Sequence, residues 1–488
     1  MAPDKDFVLI ALLKYNYFPA HKKEKEELPP IFSTKQFTKK IAQKLSHLRS
    51  RKDGYDQISY KITRYNNIPR VLSIPHPKPY ADIVFCLSEN WDNLAYICNN
   101  EVSLIRPRQH KDGRIIIMNY EGSHEKIERS LKKSFGHKFC IETDITNCFP
   151  SIYSHAIPWA LIGLKEAKSR KRYKNEWFNK IDARQRMLKR NETQGVPIGP
   201  ASSNIITEII LAKVDEVMSK DFNYIRFIDD YTCYCKKYED AEEFARRLSQ
   251  ELSKYNLTLN LKKTHIHQLP KPTNDDWIID LKSRISGDSK KITHYQAVNY
   301  IDYAVSLNKK IPDGSILKYA FKSIRGRLNV KDERFCLNYI LLLAPHYPIL
   351  IPIINKMLHN ASKKDKFVYE KELKYILDES IVNHRSDGMC WTLYYLLKNK
   401  VTLSPEIAKH IIATKDCMAI LMLYLFKKFD TEINGFANGL DKTDLYGLDN
   451  YWLLLYQLFY DNKIKNPYKD EETFKILKDN NVNFIQSK

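Results

Sequence analysis

The chain has no CxxC pair and no cluster of cysteine and histidine at zinc-site spacing, although it holds nine cysteines. An odd count without paired spacing argues against a disulfide framework and a structural zinc site, and it fits a reducing compartment. No unbroken apolar run reaches the length of a membrane span. The opening MAPDKDFVLIALLKYNYFP carries one short apolar run, but acids and a lysine interrupt its start and no small-residue cleavage site follows. The expectation is a cytoplasmic protein with no membrane partner. Glycine is scarce, 14 in 488 residues, which leaves little room for flexible linkers. Acidic residues are also short, 58 against 79 Lys and Arg, for a net charge of +21.

What is present is a composition that folds. Hydrophobic residues make up 43% and charged residues 28%, and the length predicts two or three units, each with a core of its own. The positive balance favours a polyanionic partner through long-range attraction and counterion release. Solubility alone would explain charge, but 31 tyrosines interleaved with it favour a nucleic acid or nucleotide.

Three regions follow from the pattern. Residues 1–136 mix short apolar runs with breakers such as Pro29-Pro30 and Pro75, Pro77 and Pro79, and read as helix and loop. Within them, 102–105 and 114–118 predict two short strands around Lys111-Asp112-Gly113, a basic hairpin. Residues 137–285 predict a strand at 138–145, helices at 154–164, 202–218 and 239–255, a hairpin at 224–235 with acids at its tip, and a strand at 257–266. Inside this region 165–190 carries eleven Lys or Arg against three acids, either a solvated helix face or a backbone-binding surface. Residues 290–488 change to serial amphipathic helices at 296–307, 315–327, 335–344, 347–358, 370–379, 390–398, 404–413, 416–427 and 449–461. These suggest an α-solenoid or bundle without a clean period. The fold class is α+β, followed by an all-α helical-repeat (HEAT-like) unit.

The chemistry starts from Asp229-Asp230. An adjacent acidic pair means little alone, and the chain holds its own control in Asp275-Asp276, within the polar stretch KPTNDDWI. Asp229-Asp230 instead sits between Phe227-Ile228 and Tyr231-Thr232-Cys233, where ionised carboxylates cost several kcal/mol unless a cation pairs with them. Phosphoryl transfer needs a further carboxylate from another strand to bridge two divalent cations about 4 Å apart. Asp144 ends an apolar strand, and the Ile145 carbonyl beside it could add a ligand. A Gly/Pro loop, Gln194-Gly195-Val196-Pro197-Ile198-Gly199-Pro200, begins 50 residues after Asp144, ends 29 before Asp229, and leads into a helix. Glycines let a backbone approach a base or phosphate closely, and a helix N-terminus favours anions.

In order and spacing, DxxxxF, QGxPxGPxxS, a hydrophobic run ending in DD, and Leu257-Thr258-Leu259-Asn260-Leu261-Lys262-Lys263-Thr264 resemble the palm motifs of reverse transcriptases. The resemblance implies right-hand-type fingers and palm, with two Mg²⁺ (or Mn²⁺) per site held by Asp144, Ile145 and Asp229, with Asp230 in support. It implies that Phe149 gates the sugar, that Gln194 and Gly195 border the nucleotide and primer, and that Lys263 lies near the triphosphate, against its reading as a solvated lysine. Arg106, Arg108 and Arg114 on the basic hairpin are candidate triphosphate contacts. Phe227-Ile228 departs from the usual Tyr-Ala or Tyr-Val, and neither an RNase H acidic set nor a recognisable thumb follows the palm. The helical C-terminal half, Ser154-His155-Ala156-Ile157-Pro158-Trp159 and Tyr224-Ile225-Arg226 resemble the abortive-infection (Abi) reverse transcriptases of bacteria, of the AbiK kind. That resemblance implies anti-phage defence, homo-oligomers, deoxynucleoside triphosphates as substrates, and single-stranded DNA grown without a template from a protein hydroxyl. Tyr15 and Tyr17 are candidates for that hydroxyl, against packed aromatics. An RNA-templated polymerase of retron or intron type and a non-catalytic nucleic-acid scaffold remain as alternatives.

Overall fold

A computed structural model of the chain describes residues 3–19, 27–64, 68–118, 122–285, 291–312, 315–328, 330–355, 357–358, 368–468 and 472–486. At its centre is a four-stranded antiparallel sheet in the order β4-β5-β3-β6, built from β3 (Phe139–Asp144), β4 (Asn223–Phe227), β5 (Asp230–Cys235) and β6 (His265–Gln268). Alternation puts Ile141, Cys233, Tyr224, Tyr231 and Arg226 on one buried face of the sheet and Glu142, Asp144, Asp230 and Phe227 on the other. The helix Tyr238–Ser253 covers one face, with Phe244 against Tyr224 at 5.4 Å between ring centroids. The helix Ala201–Met218 is buried along most of its length, with an apolar run through Ile205, Ile206, Ile209, Ile210 and Val214 and buried Glu208 and Asp215 paired to Arg226. Among the described residues no helix is long and apolar enough to cross a membrane.

The strand expected at 257–266 is shorter. Leu259 makes an isolated bridge to Ile145, Leu261–Lys263 forms a 3₁₀ turn, and only His265–Gln268 joins the sheet. Neither strand expected at 102–105 and 114–118 forms among the described residues, although Arg108 N–H to the Ile115 carbonyl and His110 N–H to the Arg114 carbonyl, both at 3.1 Å, close a turn around Lys111-Asp112-Gly113. Ser103 instead lies parallel to Arg226, whose backbone N–H donates to the Val102 carbonyl at 2.7 Å while its own carbonyl accepts from Leu104 N–H at 2.8 Å. The free edge of β4 satisfies those groups, so the second strand is not needed.

A two-stranded ribbon, β1 (Gln57–Thr63) with β2 (Pro69–Pro75), lies where helix and loop were expected. Its prolines sit at the strand's ends, where a missing N–H costs no ladder bond. Pro77 and Pro79 begin the helix Pro77–Glu89 rather than break one, because first-turn N–H groups have no intrahelical partner.

Helices run from His294–Lys310 to Thr473–Asp479, including Asp430–Asn438 and Thr473–Asp479, which the pattern had not predicted. The segment expected as a helix at 347–358 begins as the 3₁₀ helix Pro348–Ile354, since Pro352 removes an α-helical hydrogen bond. These helices pack on the first hundred residues. Trp452 Nε1–H donates to the Ile74 carbonyl at 3.0 Å, Asp449 accepts from Asp56 N–H at 2.9 Å and pairs with Arg51, and Phe484 meets Tyr17 at 6.4 Å between centroids. The change of pattern near residue 290 is therefore a change of secondary structure within one continuous core.

Candidate active site

The sheet brings the three aspartates together. Asp144 ends β3 and stands in register with Asp230, which begins β5, while Asp229 occupies the hairpin turn. The turn is tight enough to place Ile228 at φ +59, a left-handed conformation that a β-branched residue adopts only when its surroundings impose it. Two contacts impose it here. Ile145 N–H donates to the Asp229 carbonyl at 3.2 Å, and the buried Arg226 donates from Nη1 to the Ile228 carbonyl at 2.8 Å. Arg226 is held in turn by Glu208 and Asp215, so its charge is paired inside the core. The control pair behaves differently: Asp275 and Asp276 are exposed at the start of the helix Asp276–Ser283.

Negative charge at the turn is under-compensated. Burial first, then Asp230 and Asp144, push the Asp229 carboxyl up to about 6. Asp230 is raised as well, by burial and by Asp144, with Lys263 acting against the shift. The Lys263 ammonium pairs with Asp144, and that hydrogen bond raises its own pKa. The 3₁₀ turn makes this possible: Asn260 N–H donates to the Asp144 carbonyl at 2.7 Å and Lys263 N–H to the Asn260 carbonyl at 3.0 Å.

Among the described residues no three His, Cys, Asp or Glu side chains converge as a preformed metal cluster. The donor set nevertheless fits a hard divalent cation, because carboxylate oxygens of Asp144 and Asp229 face one cavity and the repulsion that raises Asp229 is the kind a cation relieves.

That cavity, of about 490 Å³, is lined on one side by Asp144, Asp229, Asp230 and Lys263, and on another by Ile62, Arg64, Arg70 and Leu72 of the ribbon. Phe149 forms part of its wall, together with Ile198, Gly199 and Asn204. Gln194 and Gly195 do not line it. Gln194 Nε2 donates to the Ser151 carbonyl at 3.0 Å, and Gly195 N–H to the Ile152 carbonyl at 2.7 Å, so they brace the turn that carries Phe149 from behind. The loop reaches the cavity through Gly199, at φ +146, where a Cβ would stand 2.6 Å from the Ser73 carbonyl oxygen on β2. Gly199→Ala is expected to cost on the order of 1–3 kcal/mol through that clash and the strained φ, read as a lowered urea midpoint.

Arg64 and Arg70 carry cavity charge that the sequence reading placed elsewhere. No ion pair among the described residues engages either guanidinium. Partial removal from water, then the Arg64 charge, lower the Arg70 pKa, while Asp229 acts to raise it. Asn204, in the first turn of the helix Ala201–Met218, is a further cavity residue that the motif reading passed over. Arg106, Arg108 and Arg114 are not brought to the cavity. Arg106 donates to the Asn100 carbonyl at 2.7 Å, and Arg114 is 1% exposed and paired with Asp112 at 2.7 Å. Tyr17 is not a free hydroxyl either: its ring stacks on Tyr80 at 3.9 Å and its OH donates to the Pro75 carbonyl at 2.6 Å. Tyr15 lies half-buried against Gly113, away from the cavity lining.

Residues 93–301 match the family described as reverse transcriptase (RNA-dependent DNA polymerase). The chain therefore carries an α+β reverse transcriptase domain, of nucleotidyltransferase type, followed by a helical region. The ribbon bearing Arg64 and Arg70 precedes the matched segment. No curated protein matches the chain. Similar solved structures include apo telomerase from Candida tropicalis truncated from its C-terminal domain, 13% identical over 50% of this chain and 53% of that one, with a TM-score of 0.31. Telomerase from Candida albicans in complex with the TWJ fragment of telomeric RNA is 11% identical over 83% and 66%, at 0.31. Apo telomerase from Candida tropicalis is 12% identical over 80% and 74%, at 0.33. The chain spans about half the length of the first of these.

Proposed function

We propose that this chain is a DNA polymerase that joins deoxynucleotides to a primer hydroxyl, acts without a template from a hydroxyl of its own chain, and serves bacterial anti-phage defence as a cytoplasmic homo-oligomer. The observation that supports polymerisation is one cavity with three carboxylates on one wall and, on the other, two guanidiniums that no ion pair engages among the described residues. A deoxynucleoside triphosphate matches that polarity. Arg64 and Arg70 would hold its β- and γ-phosphates, and Lys263 would add charge at the carboxylate end. Asp144 and Asp229, with Asp230 and the Ile145 carbonyl, would hold two Mg²⁺ or Mn²⁺ ions, which when bound acidify the attacking hydroxyl and neutralise the α-phosphate and the departing pyrophosphate. Phe149 would occupy the space a ribose 2′-hydroxyl needs.

The defence role and protein priming are supported by the motif and layout resemblance to abortive-infection enzymes. With Tyr17 locked in the core, Tyr15 is the remaining candidate of the two. The family description favours a second reading, RNA-templated synthesis.

One experiment separates these. Purified protein is incubated with Mg²⁺ and a labelled deoxynucleotide, without nucleic acid, and run on a denaturing gel. Label that stays with the protein band, and is absent in Asp229→Asn, supports protein priming. Incorporation only after an RNA template is added moves the conclusion to the second reading. No incorporation under either condition leaves a nucleic-acid scaffold. In the active condition, Arg70→Ala is expected to raise the deoxynucleotide KM by about tenfold, the scale for losing one charged phosphate contact, as steady-state kinetics would show.

A further inference from the structure

The ribbon is only two strands wide, so β1 has an edge that β2 does not cover. Such an edge leaves alternate N–H groups unpaired and the ribbon free to twist. Here the edge is closed by the first turn of the helix Ser386–Lys398, more than three hundred residues downstream. Lys61 N–H donates to Ser386 Oγ at 3.0 Å, and Thr63 N–H donates to Asp387 Oδ2 at 2.7 Å. The Thr63 hydroxyl donates to Asp387 Oδ1 at 3.0 Å, and Gly388 N–H anchors the same oxygen at 2.8 Å. Ser386 is itself fixed by its hydroxyl bond to the buried Asp416 carboxylate. Thr63 immediately precedes Arg64, and Arg70 lies across the ribbon opposite Ile62.

From this arrangement we infer that Asp387 and Ser386 are positioning residues for polyphosphate binding, through which the helical region sets the place of Arg64 and Arg70 at the cavity. The carboxylate suits the task because it accepts from backbone and side chain of one residue at once, fixing both the height and the rotation of the strand where it delivers Arg64. Neither Asp387 nor Ser386 lines the cavity, so their effect travels through β1. The proposal rests on the polymerase reading for its substrate, while the mechanical link does not.

The test uses the full chain and three variants. Asp387→Asn keeps the shape but loses one acceptor, and Thr63→Val removes the hydroxyl arm while leaving Asp387 in place. Tyr395→Phe is the control. It deletes a buried hydroxyl that donates to the Ile351 carbonyl, about two turns further along the same helix and apart from the residues that bond β1. Deoxynucleotide kinetics are measured together with binding of inorganic tripolyphosphate by calorimetry and hydrogen exchange over 57–75. In Asp387→Asn the KM and the tripolyphosphate Kd are expected to rise about tenfold, the scale for a loosened cation clamp. The kcat should stay within about twofold, exchange at β1 should quicken, and Thr63→Val should move the same quantities in the same direction. Tyr395→Phe should lower the melting temperature without moving KM or Kd. Faster exchange with unchanged KM and Kd overturns the proposal, as does an equal shift in Tyr395→Phe or a wild-type protein that binds no tripolyphosphate. A wild-type protein that incorporates nothing, yet whose tripolyphosphate Kd shifts as expected in Asp387→Asn, refutes the polymerase reading and supports the positioning role.

Discussion

Asp229→Asn is expected to lower deoxynucleotide incorporation by at least about a thousandfold, as removal of a central electrostatic group does, and to make the metal-free protein more stable. Both effects have one cause. Asp229 is driven up to about 6 by burial and by its neighbours Asp230 and Asp144, so at neutral pH the fold holds a carboxylate it would rather protonate. A folded pKa above the unfolded value means that this group favours the folded state at low pH. That advantage is complete below the unfolded pKa, near 4, and is lost as pH rises through about 6. The neutral amide escapes that loss. At pH 7 in EDTA the variant should therefore gain on the order of 1–3 kcal/mol, a gain that shrinks toward zero at about pH 4. Urea titrations at the two pH values check the sign, and the gel assay checks the chemistry. Retained incorporation, or a gain that does not depend on pH, would contradict the assignment of Asp229 as the centre of uncompensated charge.

The second large effect concerns the sugar. Phe149 is buried in the cavity wall, on a short turn pinned by Val196 N–H to the Phe149 carbonyl at 2.9 Å and by Ile152 N–H to the Cys148 carbonyl at 3.1 Å. A ring on so fixed a backbone would act as a barrier and not as a flexible contact, since exclusion by clash is how a site rejects a larger ligand. Phe149→Ala is expected to raise ribonucleotide use relative to deoxynucleotide use by about a hundredfold, the scale on which a pocket discriminates by shape. The ratio of kcat/KM for the two sugars measures it. Loss of the ring also leaves a void costing about 3 kcal/mol, so Phe149→Val, which leaves less empty space, should show the same change of preference. If both variants keep the wild-type ratio, Phe149 is not the gate.

The carboxylates were legible because their setting is chemically odd. Ionised side chains between Phe227-Ile228 and Tyr231 have no apolar explanation, whereas Asp275-Asp276 in a polar stretch does, and the structure places the latter on an exposed helix start. The helix Ala201–Met218 was legible from its unbroken apolar spacing. The cations were not. Arg64 and Arg70 border strands whose outer residues are polar, and the breakers Asn66, Asn67 and Pro69 between them read as loop. Arg114 had a visible counter-signal in Asp112, two residues before it, which is the partner that removes it from the site. Tyr17 had one too, since it sits between a leucine-rich helix and Phe18. What no local pattern reveals is the closure of β1 by Ser386 and Asp387, because the two segments share no sequence neighbourhood.

The continuous core has a consequence for how the protein comes into being on the ribosome. Ile74, Asp56 and Tyr17 are made well before Trp452, Asp449 and Phe484, which complete their surroundings from several hundred residues further along the chain. Contacts of such sequence separation form slowly, and the early segment must wait with apolar surface exposed. The ribbon is finished only once the helical region through Phe484 has emerged, so that translation itself times the appearance of the complete cavity.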